Sequence, residues 1–173
     1  MRIIAFVLLV VAGTAAADQS KPSYAPGRDS DKLAITLTNP EGQTLSLWGR
    51  YDRKTDYYAI LTEFRLAAGH TFALTMPTYH IDDADELETE WMQDFDKRNT
   101  NKWGDVEETR IWWLVWGDRK NVMKKSTVGH TWLTGDRIVI SYTTADGTLK
   151  TASFALAGAR EAVVAATGIK IND

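Results

Sequence analysis

From Leu33 onward the chain repeatedly alternates apolar and polar residues with a period of two, the pattern of half-buried strands. Leu33, Ile35 and Leu37 alternate with Ala34, Thr36 and Thr38; Pro40-Glu41-Gly42 supplies a turn, and Gln43–Arg50 reads as the return strand. A polar turn at Asp52–Asp56 leads into Tyr57–Leu66, with Tyr58, Ile60, Thr62, Phe64 and Leu66 on one face. Ala67-Ala68-Gly69 then turns the chain into His70–Met76, where Phe72, Leu74 and Met76 are expected to face inward. Successive strands joined this way predict an antiparallel meander.

Residues 82–98 change period. Leu87, Trp91 and Phe95 recur every fourth residue with Met92 alongside, which predicts a helix. Asp82 suits its N-cap, Asp85 and Glu86 its first turn, and Lys97-Arg98 its last, an order that complements the helix dipole. Asn99–Glu108 is polar and reads as a loop. The run Ile111-Trp112-Trp113-Leu114-Val115-Trp116 is apolar on both faces, so as a strand it needs cover on both sides or a partner for one of them. A helix starting at Asp105 fits the same short run. As a strand, alternation puts Trp112 and Trp116 on one face and Trp113 on the other.

Near the end, Asp146-Gly147 joins Arg137–Thr144 to Thr148–Leu156. A two-residue loop would pair Val139 with Phe154, putting the two apolar sets on opposite faces. The three-residue loop Ala145-Asp146-Gly147 instead pairs Ile138 with Phe154 and Ile140 with Ala152. Because register follows the buried face, the longer loop is expected, with Gly147 in a left-handed bulge position. A closing helix places Ala159, Ala162, Val163 and Ala166 on one face, capped by Gly168 ahead of Ile169. The fold expected is therefore mainly β (α+β): an antiparallel, sandwich-like β core with one middle helix and one C-terminal helix.

The first seventeen residues stand apart. Arg2, the apolar run Ile3–Ala12 and the small residues ending in Ala15-Ala16-Ala17 predict a secretory signal peptide cleaved after Ala17. The run is about half the ~20 apolar residues of a membrane-spanning helix, so no membrane insertion is expected after cleavage. Residues 18–32, with two prolines, a glycine and many charges, read as a disordered lead-in, and 33–173 as a single β-rich domain. The predicted location is periplasmic or secreted.

Composition narrows the chemistry. There is no cysteine, which removes thiol catalysis, Cys-based zinc sites and a lipoprotein anchor. The chain carries 20 Lys and Arg against 23 Asp and Glu; cleavage removes only Arg2, leaving 19 against 23 and a formal charge of −4. Both signs are interspersed, so no nucleic-acid partner is expected. The acids Asp82-Asp83-Ala84-Asp85-Glu86 lack the alternation and central glycine of a calcium loop. His70, His80 and His130 lack the i, i+4 spacing of a zinc helix, and no G-x-S-x-G or phosphate-binding glycine loop occurs. No metal site, cofactor or catalytic residue is assigned.

The aromatics carry the positive expectation. Trp103, Trp112, Trp113, Trp116 and Trp132 fall close together in sequence, with Tyr57-Tyr58 on a meander strand. Flat rings on an exported β domain grip sugars by stacking, so Trp112, Trp116, Trp103 and Tyr57 are the candidate ligand-binding residues. The competing reading is that the tryptophans build the core, as Trp91, Trp113 and Trp132 are expected to do.

The C-terminal third has Gly135-Asp136 at a strand start, the Asp146-Gly147 turn, Phe154-x-Leu156-x-Gly158, and Ala162 in a closing helix. In these features it resembles the invasion-associated locus B family of exported bacterial proteins. The resemblance implies a periplasmic, non-catalytic β-rich domain with an envelope or host-interaction role. It carries over no site residues, and this chain departs from the family in lacking cysteine pairs. The functional expectation is an exported envelope module binding a protein or a glycan. The alternative is a small hydrolase of wall or matrix polymers using a carboxylate pair, for example Glu63 with an acid from 82–90.

Overall fold

The structure, a computed structural model, describes residues 26–27, 31–88 and 104–172. The predicted signal peptide, most of the lead-in and residues 89–103 lie outside the described residues. The strands are β1 (Asp31–Thr38), β2 (Thr44–Asp52), β3 (Tyr57–Arg65), β4 (Thr78–Ile81), β5 (Leu87–Glu88), β6 (Gly104–Val106), β7 (Arg110–Asp118), β8 (Val122–Met123), β9 (Arg137–Thr143), β10 (Leu149–Ala155) and β11 (Lys170–Ile171). Among the described residues two helices join them, α1 (Val128–Thr134) and α2 (Ala159–Thr167).

The expected meander is present as β1-β2-β3, and it continues through β7 to β6 to make a five-stranded antiparallel sheet. A second antiparallel sheet has the order β10-β9-β4-β5, and β8 pairs in parallel with β11. The two large sheets share one core. Phe64 of the first sheet lies 5.2 Å from Tyr142 and 5.9 Å from Phe154 of the second, in edge-to-face contacts. At the other end Tyr79 stacks on Trp113 at 5.8 Å and meets Trp132 at 5.3 Å. Each such ring, fully buried, contributes about 1.5–3 kcal/mol of transfer free energy. Among the described residues the fold is mainly β with two helices.

The final hairpin adopts the three-residue loop: Ile138 pairs with Phe154, Ile140 with Ala152, and Gly147 has φ 83°. Ile138, Ile140, Ala152 and Phe154 are all buried, the condition that selects this register. Helix α2 buries Ala159 and Val163 and ends at Gly168 with φ 72°.

Several expectations are corrected. The lead-in ends two residues early, because Asp31 and Lys32 already pair with Arg50 and Gly49. A bulge at Ala34 turns Leu33 away from Ile35 and Leu37, leaving it 51% exposed. His70–Met76 is not a strand but a crossing between the sheets. Its backbone bonds go one way and then the other, Phe72 N–H to Glu108 and Ala73 N–H to Thr143, so Phe72 is buried while Leu74 is 74% exposed. No helix starts at Asp82. That residue has φ 51°, and its carboxylate accepts the N–H groups of Asp136 and Arg137 across the chain instead of those of a first helical turn. Leu87–Glu88 instead pairs with β4, and the rest of the predicted helix lies outside the described residues. Residues 110–118 are a strand, not a helix.

Candidate functional site

Strand β7 contains the residues expected to bind a ligand, and a bulge decides their fate. Ile60 pairs with Trp116 and Leu61 with Leu114, leaving Val115 as an extra residue. Trp112 and Leu114 therefore share the outer face, whereas Val115 and Trp116 join Ile111 and Trp113 in the main core. Trp112 and Trp116 do not share a face, and their exposures of 1% and 7% leave no ring surface for a ligand. Trp103 lies outside the described residues. Tyr57 is half-buried on the outer face, packed with Trp48 on Ala59, Leu61 and Leu114. Its hydroxyl occupies the space that a side chain at Gly117 would fill.

Among the described residues the exposed large aromatic ring is Tyr51, which was not among the expected ligand-binding residues. On β2 the inward parity is Leu45, Leu47, Gly49 and Tyr51. Leu45 and Leu47 are buried in the core, and at Gly49 the backbone meets the end of α2. A Cβ there would collide with the Thr167 methyl group, so glycine lets the helix lie against the sheet. The Thr167 hydroxyl is turned away, donating to Val163 O at 2.7 Å. Beyond this contact the helix ends, and the inner face of the sheet is left open for one more position.

That opening is a hollow of about 560 Å³ lined by Lys32, Gly49, Tyr51, Asp52, Arg53, Lys54, Ala166 and Thr167. Tyr51 is 37% exposed, and its ring is doubly held. It stacks on Tyr58 with centroids 4.5 Å apart, and its hydroxyl donates to Asp56 at 3.0 Å. The Asp56 carboxylate holds the Tyr51 phenol above its usual range, so the ring stays neutral.

The turn between β2 and β3 is organised by Asp52. One carboxylate oxygen accepts from Lys54 N–H and the other from the Thr55 hydroxyl, both at 2.9 Å, which lowers the pKa of Asp52. The acids of this turn are thus engaged within it. Among the described residues the side chains of Lys32, Arg53 and Lys54 form no salt bridge, and all three line the hollow, with Lys54 near enough to Asp52 to help lower its pKa. By contrast Arg50, next to this site in sequence, is spent on Asp31 through contacts of 2.5 and 2.8 Å.

A second, smaller hollow of about 400 Å³ is lined by Asp82, Asp83, Asp136 and Arg137. Asp82 is committed there to backbone N–H groups, as described above. Glu63, named for a carboxylate pair, is buried on β3 and accepts from Arg65 at 2.7 Å and Arg110 at 3.2 Å. A carboxylate held by two arginines serves an ion-pair network, which continues through Arg110 to Glu107 at 2.7 Å. His80 bonds the Asp82 carbonyl at 2.8 Å, His130 is buried in α1 and His70 is exposed. Among the described residues no group of three or more His, Asp or Glu is placed to hold a metal ion, and no helix is long and apolar enough to cross a membrane.

Comparison with protein-family models, with curated proteins and with solved structures finds no match to this chain.

Proposed function

We propose that this chain is a non-catalytic binding module of the cell envelope, exported by its signal segment, with a glycan partner seated in the Tyr51 hollow. The observation that carries this reading is the make-up of the hollow: one stacked, partly exposed ring beside Lys and Arg side chains. A stacking face with polar donors around it is what sugar recognition requires. An envelope protein is the other partner class, because aromatic and Arg side chains are enriched at interfaces.

The expectation of aromatic sugar binding thus moves from Trp112 and Trp116 to Tyr51. The competing hydrolase reading would place its carboxylates in the second hollow, at Asp83 and Asp136. Co-sedimentation of the purified protein with peptidoglycan sacculi tests the proposal. Wild type is expected in the pellet, and Tyr51→Ala, with its fold checked by circular dichroism, in the supernatant. Wild type remaining in the supernatant would count against wall glycan. Release of soluble fragments from the sacculi, abolished by Asp83→Asn with Asp136→Asn, would favour the hydrolase.

A further inference from the structure

Resting on the reading of the Tyr51 hollow as the ligand site, we infer that its ligand is acidic: a glycan carrying carboxylate or phosphate groups. The chain as a whole is negative, with a formal charge of −3, yet three cations converge on this one hollow. They arrive from separate places, Lys32 from β1 and Arg53 and Lys54 from the turn after β2, so no single helix or loop composition explains the cluster. Three opposing charges must be weighed: Asp52, the C-terminal end of α2, and Asp56, whose carboxylate accepts from the Tyr51 hydroxyl at 3.0 Å. Asp52 lines the hollow, and the turn donors on both of its oxygens hold it ionised. The C-terminal end of α2 adds at most about half a negative charge. Three cationic side chains lining the hollow still outweigh these.

The ring sets the second half of the inference. Tyr58 stacks on one face of Tyr51, which is still 37% exposed and lines the same hollow as the three cations. A pyranose with an acidic substituent satisfies both features, its C–H face on the ring and its anionic group on Lys32, Arg53 or Lys54. An extended acidic peptide would use the cations and leave the ring idle.

Titration calorimetry of the purified protein with tetragalacturonate and with its neutral methyl ester tests this. The acidic form is expected to bind at least about tenfold tighter at low salt. That advantage should vanish at about 0.5 M salt, where exposed charges are screened. Arg53→Ala with Lys54→Ala, two exposed turn positions, should abolish the preference while retaining binding of the ester; Tyr51→Ala should weaken both ligands. Equal affinity for the two sugars in wild type would overturn the acidic ligand and leave the sugar-binding reading standing. Polyglutamate binding as tightly, with the same salt dependence and no loss in Tyr51→Ala, would overturn the sugar. If neither sugar binds while sacculi still sediment the protein independently of Tyr51, the hollow itself is the wrong site.

Discussion

Single residues decide two local geometries here. In the last hairpin Asp146 accepts from the Thr144 hydroxyl at 2.6 Å and from Thr148 N–H at 3.1 Å, which lowers its pKa from 3.8 to about 2. Gly147 takes the φ 83° that other residues resist. A carboxyl group whose pKa is lower in the folded than in the unfolded chain favours folding above the unfolded value, and that gain is lost as pH falls through about 2. A carboxyl-detected NMR titration should place the Asp146 midpoint near 2, and Thr144→Val should raise it toward the ordinary value. Gly49 is the second case. Gly49→Val puts a branched side chain into the Thr167 methyl group, and such overpacking costs about 1–3 kcal/mol. Urea denaturation should show that loss, and Thr167→Ala in the same chain should recover part of it.

At the scale of the element, β7 shows how one inserted residue reassigns side chains. Without the bulge at Val115, strict alternation would have put Trp112 and Trp116 on one face; with it, Trp116 enters the main core and Trp112 stays on the outer face. Both rings are buried, so each is a stability residue. Trp112→Ala and Trp116→Ala should each lower stability by about 3–5 kcal/mol in chemical denaturation. A folded variant of unchanged stability that had lost ligand binding would contradict this assignment. The short helix α1 depends on a comparable detail: Thr127 caps it by accepting from His130 N–H, and Gly129 lets it approach Trp116, whose Cβ would stand only 2.6 Å from a side chain there. No helix is predicted here, because seven residues hold too little of a 3.6-residue period to register.

At the scale of the whole molecule, a single core unites both sheets and both helices, with Phe64 at the meeting point of Phe72, Tyr142 and Phe154. Phe64→Ala should cost about 3–5 kcal/mol and shift the tryptophan-fluorescence and far-UV transitions together, because the main core is shared by the two sheets. Transitions that separated would contradict a shared core. Much of this architecture was legible beforehand: the meander, the register of the last hairpin and the C-terminal helix all follow from period and turn chemistry, which are local. The candidate site was not. Tyr51 and Gly49 continue the inward parity of Leu45 and Leu47, the one signal of their role, but where the core stops along that strand depends on where α2 ends against it. By itself the sequence determined the class of fold, the pairing of neighbouring strands and the turns between them, because those rest on contacts a few residues apart. Tertiary structure alone decided which rings are buried, where bulges reverse a face, and which cations gather around Tyr51. Those outcomes depend on distant segments competing for the same surface.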